Sequence, residues 1–271
     1  MKYSSIKDLY AKVSSELNTL AIIVAVVSLL LAIALPNTVS ATHSWNNYHW
    51  ARQANPFTLK LSSNLSTNWQ PYLITASSDW SQSSVLDTVA VTGTKNPKTC
   101  KPTLGQAEIC NASYGRNGWL GLAQIWISGS HITQGAVKMN DTYMSKAPYN
   151  TVAEKNHVMC QEVGHIFGLG HQDESGADLG TCMDYSMSTN SQRPNPHDYE
   201  QLQQIYNHLD STTSVGAIVN TDAASDSSDL NSSQNWGRRV FRSKSGFVEV
   251  YERTYKDGSK LISLVNLADH Q

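Results

Sequence analysis

The chain opens with a polar segment and one long apolar run, and strand-like or helical patterns follow only after that run. Residues 1–18 are polar with three lysines, whereas residues 20–35 are apolar except for Ser28. This run of sixteen residues is slightly long for a signal-peptide core and slightly short for a membrane span. Small residues at 39–41 offer a cleavage point. We therefore expect residues 1–41 to be a removed signal peptide, with a retained anchor as the alternative.

After this run, the hydrophobic pattern alternates between the strand period and the helix period. Strand patterns occur at residues 57–61, 85–93, 121–128 and 131–140. Helical patterns occur at residues 68–82, from about residue 151, and at 197–209. This order predicts an α+β domain over residues 42–210, or an α/β one, with the long central helix packed against a sheet.

The remaining C-terminal residues change in character twice. Residues 211–234 are rich in Ser, Asp and Asn without periodicity, which is typical of a linker. Short alternating runs at 247–251 and 261–267 then predict a small β appendage over residues 235–271.

Composition narrows the possible functions and the compartment. A net charge of −2 with 15% charged residues shows no footprint for nucleic-acid binding. Four cysteines, an even number, suit two disulfides in an exported chain. Cys100 and Cys110 flank an excursion that contains Pro102 and Gly105, so we predict that they close a loop by pairing.

The candidate chemistry lies at residues 160–171, CQEVGHIFGLGH. Residues four apart on a helix share a face, so Gln161 and His165 point the same way and Glu162 lies at the edge of that face. Gly168 can end the helix in the left-handed conformation, which allows His171 to approach the same point. This arrangement predicts a metal site rather than histidines that only cap or pack.

Zinc hydrolases keep one coordination position open for a water that a nearby carboxylate deprotonates. His165 and His171 are the expected ligands, and Glu162 is the expected general base. Gln161 leaves three alternatives: its amide oxygen is the third ligand, another group completes a two-histidine site, or no functional metal binds. His157 lies about 12 Å along the axis from His165, too far to replace Gln161 on a straight helix.

The spacing resembles H-E-x-x-H-x-x-G-x-x-H, the zinc signature of the metzincin metallopeptidases, with Gln161 at the first histidine. Residues 181–185, TCMDY, are similar to the metzincin turn that carries a methionine, which implies Met183 beneath the metal and Tyr185 as an oxyanion stabiliser. Residues 121–123 resemble the edge strand on which metzincins align a peptide. The helix after residues 196–199 resembles the closing helix of the matrixins.

The resemblance covers residues 42–210 and implies an exported, monomeric, zinc-dependent endopeptidase that acts on protein or peptide substrates. The alternative is a catalytically inert module of the same fold that binds a peptide or surface partner. A third possibility, a membrane-tethered sensor, requires that residues 20–35 are retained.

Two further expectations depend on this interpretation. Cys160 precedes Gln161, and Cys182 precedes Met183, so we predict a Cys160–Cys182 disulfide that ties the metal helix to the turn beneath it. Two free buried thiols are the alternative in a cytosolic chain. The aromatic residues at 45–50, with His43 and His49, form either an exposed carbohydrate or metal patch or, as we prefer, an N-terminus packed onto the domain.

Overall fold

The computed structural model describes residues 43–173, 176–184, 190–218 and 229–268, and individually residues 13, 16–18, 20, 186 and 188. The chain divides into two compact units, residues 1–41 and 42–271. The described residues of the first unit are helical. Most of the predicted signal peptide and its cleavage point therefore lie outside the described residues. No helix among the described residues is long and apolar enough to cross a membrane.

A single mixed sheet forms the centre of the second unit, with strand order β3-β2-β4-β6-β5-β9-β8-β7 and β1 paired to β6 beside this path. The pairs β2–β3, β2–β4, β4–β6 and β1–β6 are parallel, and the pairs from β6–β5 through β9–β8 to β7 are antiparallel. The strands are β1 (His49–Trp50), β2 (Phe57–Asn64), β3 (Leu86–Thr92), β4 (Ala107–Ala112), β5 (Trp119–Ser128), β6 (His131–Asn140), β7 (Arg238–Arg242), β8 (Val248–Thr254) and β9 (Lys260–Leu267).

Four α-helices accompany the sheet in the described residues: α1 (Gln70–Trp80), α2 (Asp141–Met144), α3 (Val152–His165) and α4 (Pro196–Ile205). A 3₁₀ turn at Ser233–Asn235 precedes β7. Helix α3 begins where the Thr151 hydroxyl accepts the Glu154 backbone N–H. Helix α4 begins with a capping box between Asn195 and Asp198. These caps fix the starts of the helix that carries the candidate site and of the last helix of the domain.

The main apolar core lies between the sheet and helices α1, α3 and α4. Trp50, Trp80, Val163 and Phe167 are among its fully buried members. Strand β5 contributes Ala123 and Ile125 to this core, whereas Leu122 belongs to a separate cluster with Trp119, Trp236 and Val265. Alternate residues of a strand face opposite sides, so both faces of β5 are covered by apolar side chains.

The mixed α+β class predicted from the sequence is confirmed, with a core dominated by the sheet. The predicted strands and helices are present with boundaries shifted by a few residues. Strand β4 was missed, because residues 100–110 were interpreted as a loop; Cys110 instead lies within β4, between β2 and β6. The predicted linker is partly packed on the domain, since Ser214 bonds the backbone of Ala51 and Ile132.

The C-terminal strands correct a second expectation. Residues 121–123 do not form an edge, because β5 pairs with β6 on one side and with β9 on the other. The predicted appendage is thus a three-stranded continuation of the main sheet. The hydrophobic pattern of β5 could not reveal this pairing with β9. A strand keeps the same two side-chain faces whether or not a second strand bonds to its edge.

Candidate metal and catalytic site

The last turns of α3 and the loop after it bring the predicted site residues together. Gln161, Glu162 and His165 are buried in α3, and His171 follows the turn at Gly168. Gly168 has φ 93°, and a Cβ there would collide with the Tyr48 carbonyl, so the chain reverses tightly at this point. The His165 and His171 rings lie 4.5 Å apart between centroids, at 66°.

The two histidines are in the form that binds metals. His165 Nδ1 lies 2.9 Å from the Leu169 carbonyl, which can only accept, so Nδ1 carries the proton and Nε2 keeps its lone pair. Burial lowers the pKa of His165 to about 4, and burial together with neighbouring histidines lowers the pKa of His171 well below its usual value. Both imidazoles are therefore neutral at neutral pH.

Gln161 is held by hydrogen bonds at both ends of its amide group. Its Nε2 donates to the carbonyls of Cys182 (2.9 Å) and Asp184 (3.0 Å), and its Oε1 accepts from Asn266 Nδ2 (2.7 Å). The two carbonyls fix the orientation of the amide, because only the NH₂ group can donate to them. Gln161 therefore joins α3 both to the loop that carries Met183 and to strand β9, and one lone pair of its oxygen is already used.

Glu162 is 0% exposed, and neither of its oxygens makes a hydrogen bond of standard geometry with the described residues. Burial raises the pKa of Glu162 well above its usual value, partly opposed by the nearby Ala123 backbone. A Cβ at Gly121 of β5 would overlap this carboxyl group. The carboxyl group thus lies directly against the strand that resembles a peptide-aligning strand.

The loop beneath α3 is tied to it covalently, as predicted. Cys160 and Cys182 form a disulfide, and Cys100 and Cys110 form the other. Met183 is fully buried, and a Cβ at Gly164 would overlap its sulfur, so the methionine packs directly on the helix. Tyr185 lies outside the described residues.

His157 lies eight residues before His165 on α3 and has hydrogen-bond partners of its own. Its Nδ1 bonds the Ser191 carbonyl, and its Nε2 lies 3.5 Å from Gln161 Nε2. In the described residues, no third His, Cys, Asp or Glu forms a metal-binding group with His165 and His171. The remaining predicted ligand is Gln161, whose oxygen accepts a hydrogen bond from Asn266.

Two other groups of side chains could hold a metal ion, and the sequence did not point to their C-terminal members. The first comprises His43, His197 and Asp198, with His43 Nε2 3.6 Å from Asp198 Oδ1. The second comprises His49, His208 and Asp210. His43 and His49 are both buried, which supports the N-terminus packed onto the domain rather than an exposed patch.

Comparison with known proteins adds no assignment to this geometry. No protein-family model matches the chain, and no curated protein matches it.

Proposed function

We propose that the protein is an exported zinc-dependent endopeptidase of metzincin type, with Glu162 as general base. The observation that carries the proposal is the Glu162 carboxyl group, fully buried without a good hydrogen bond beside Gln161 on the helix that holds His165. Burying such a group costs free energy, and proteins keep such groups chiefly where chemistry uses them.

The donor set fits zinc. His165 Nε2 and the His171 imidazole are neutral nitrogen donors, and Gln161 Oε1 retains one lone pair for a weaker third bond. The Leu169 carbonyl orients the His165 ring as outer partners of metal-bound histidines do. Zinc bound here would lower the pKa of a water molecule and polarise a peptide carbonyl.

The protein's own groups would then carry the proton transfers. Glu162 takes the proton of the attacking water on a carboxylate oxygen and passes it to the departing amine. The Tyr185 hydroxyl donates to the developing oxyanion. Met183 and the Cys160–Cys182 disulfide hold the floor of the site against α3.

In this proposal, strand β9 occupies the position of the substrate peptide, so the enzyme is inactive in this structure. An extended peptide would have to pair with residues 121–123 beside Glu162, and residues 264–266 of β9 already pair there. The Asn266 side chain also occupies the Gln161 oxygen. Hydrolysis therefore requires that β9 move away from the first part of β5.

The same hydrogen bond from Asn266 favours a second candidate, a catalytically inert module of this fold. In that case Gln161 is only a link between α3, the Met183 loop and β9. Its two carbonyl partners and one amide partner already satisfy the hydrogen-bonding groups of the Gln161 side chain without any metal.

A metal analysis and a digestion assay on residues 42–271 separate the two candidates. Under conditions that release β9, the endopeptidase is expected to hold zinc and to cleave an unfolded protein substrate, and Glu162→Gln is expected to keep the zinc but lose the cleavage. Metal-free protein, or equal cleavage by the Glu162→Gln variant, would reject the peptidase. N-terminal sequencing of the exported chain tests removal of the signal peptide near Ala41.

A further inference from the structure

A second set of metal-type donors lies away from α3, where β1 meets the chain that follows α4. The 49–208–210 cluster consists of His49 in β1 and His208 and Asp210 beyond the end of α4. His49 Nε2 lies 3.2 Å from His208 Nε2 and 3.4 Å from Asp210 Oδ1, and His208 Nε2 lies 3.6 Å from the same oxygen. Three donor atoms thus form a nearly equilateral triangle.

These distances match one face of a zinc coordination tetrahedron. Ligand bonds of about 2.0–2.1 Å with tetrahedral angles place neighbouring donor atoms about 3.3 Å apart. We propose that the 49–208–210 cluster binds a divalent transition-metal ion of the zinc class, with His49 Nε2, His208 Nε2 and Asp210 Oδ1 as ligands and a water in the fourth position.

The protonation pattern supports a cation between the two rings. His49 Nδ1 lies 2.8 Å from the Asn47 carbonyl, which can only accept, so a neutral His49 has its lone pair on Nε2. His208 Nδ1 lies 3.4 Å from the Asn207 side-chain oxygen, which orients its ring in the same way. Two lone pairs that face each other at 3.2 Å repel unless a proton or a metal ion lies between them.

The Asp210 carboxylate is held in place through its second oxygen, Oδ2. Asp210 Oδ2 accepts from Arg52 Nη1 at 2.8 Å and from the Arg52 backbone N–H at 3.1 Å. The Arg52 guanidinium also bonds the His208 carbonyl and stacks on the Tyr206 ring. Such outer contacts orient metal ligands. They leave Oδ1 facing His49, His208 and also His131, whose Nε2 lies 3.2 Å away.

Nitrogen donors determine the class of ion. Two imidazoles exclude Mg²⁺ and Ca²⁺, which take oxygen ligands, and favour Zn²⁺ and its neighbours Co²⁺ and Ni²⁺. Since β1 pairs with β6 over only two residues, an ion shared with His208 and Asp210 would tie this short strand to the end of α4.

The test uses residues 42–271 with Zn²⁺ and Co²⁺ as probes. Zinc is measured per chain by competition with a chelator, and the visible absorption of bound Co²⁺ reports nitrogen ligands. His208→Gln is expected to lower the zinc stoichiometry by one and to weaken this site by more than about 100-fold, because loss of an outer contact alone typically costs 10- to 100-fold. His208 has 45% of its side chain exposed, so the variant should fold.

His131→Gln is the matched control, because His131 touches the same carboxylate oxygen but does not complete the triangle of donors. It should keep the stoichiometry and weaken the site by no more than about 100-fold, the cost of losing an outer contact. Equal zinc stoichiometry in wild type and His208→Gln would overturn the proposal. The close approach of the two rings would then be explained by a shared proton. Since neither variant touches α3, a failure here would not affect the peptidase proposal, and the reverse also holds.

Discussion

The α3 site and the 49–208–210 cluster contain similar donors but are built in opposite ways. Gln161, His165 and His171 lie within eleven residues, in one helix and the turn after it. His49 and Asp210 are 161 residues apart, and meet only because β1, β6 and the end of α4 converge. The first site is buried under β5 and β9, whereas the second includes the exposed His208.

This difference shows what each kind of site depends on. The α3 site is set by helix geometry and by one glycine turn, so its donors stay together as long as the helix forms. The 49–208–210 cluster depends on strand register and on Arg52, which holds Asp210. Changes in α3 should therefore leave the cluster intact, and changes near Arg52 or His208 should leave the α3 site intact.

The largest expected effect is on chemistry at the α3 site alone. Glu162→Gln should reduce peptide hydrolysis by about 10²- to 10⁴-fold, because the amide cannot accept the proton of water. Zinc content should remain unchanged at both sites, since Glu162 is a ligand at neither. Turnover is measured with an unfolded protein substrate under conditions that release β9. Wild-type turnover in the variant would remove Glu162 from the mechanism.

The next largest effect should follow from removing the disulfide that joins α3 to the Met183 loop. Replacing Cys160 and Cys182 together by Ala removes a closure of 22 residues, which in the chain-entropy account stabilises by about 3 kcal/mol. Zinc binding should weaken at the α3 site only, because the Met183 loop loses its tie to the helix. Denaturant unfolding gives the stability, and chelator competition gives the affinity. Replacing Cys100 and Cys110 is the control, which should lower stability without changing affinity at either site.

The sequence was sufficient for the parts of the molecule that depend on local spacing. Helix α3, its glycine turn and the two disulfides could be predicted because residues close in sequence determine them. Helix α3 begins at Val152, next to the predicted start near residue 151. The α+β class followed from the order of the two hydrophobic periods.

The sequence was insufficient where distant segments pair. Nothing in residues 260–267 indicates that they pair with β5, because an alternating strand pairs with any strand of compatible faces. The partner of Gln161 therefore could not be foreseen, since Asn266 lies 105 residues away. The 49–208–210 cluster was missed for the same reason: His208 and Asp210 have no motif spacing to His49.

A smaller effect should follow from releasing the Gln161 oxygen. Asn266→Ala removes a hydrogen bond worth about 0.5–1.5 kcal/mol net, so zinc should bind the α3 site about three- to tenfold more tightly if that oxygen is a ligand. The 49–208–210 cluster should not change. Competition with a chelator measures both affinities.

Ser263→Ala is the matched control for this variant. Ser263 lies on the same strand and bonds Gln124 rather than Gln161, so its loss loosens β9 without freeing the amide oxygen. An equal rise in affinity in both variants would point to the loosening of β9. No rise in Asn266→Ala would make Gln161 a structural link only, as in the inert module.

The smallest expected effect on zinc affinity tests whether the two sites are independent. Tyr206 lies between them: its hydroxyl donates to the Phe167 carbonyl at 2.9 Å and accepts the Trp50 backbone N–H at 3.3 Å. Tyr206→Phe keeps the ring against Arg52 but leaves two buried backbone groups without this partner. The free energy of unfolding should fall by about 1–3 kcal/mol.

Affinity at both sites should change by less than about threefold in Tyr206→Phe, because the hydroxyl contacts no ligand atom and a threefold change corresponds to only about 0.7 kcal/mol. Zinc titration of wild type and variant measures both sites at once, and the His208→Gln background isolates the α3 site. A parallel loss of affinity at both sites would mean that the turn after α3 and strand β1 act as one element. The contrast between a locally built and a distantly assembled site would then fail, because Tyr206 would make each depend on the other.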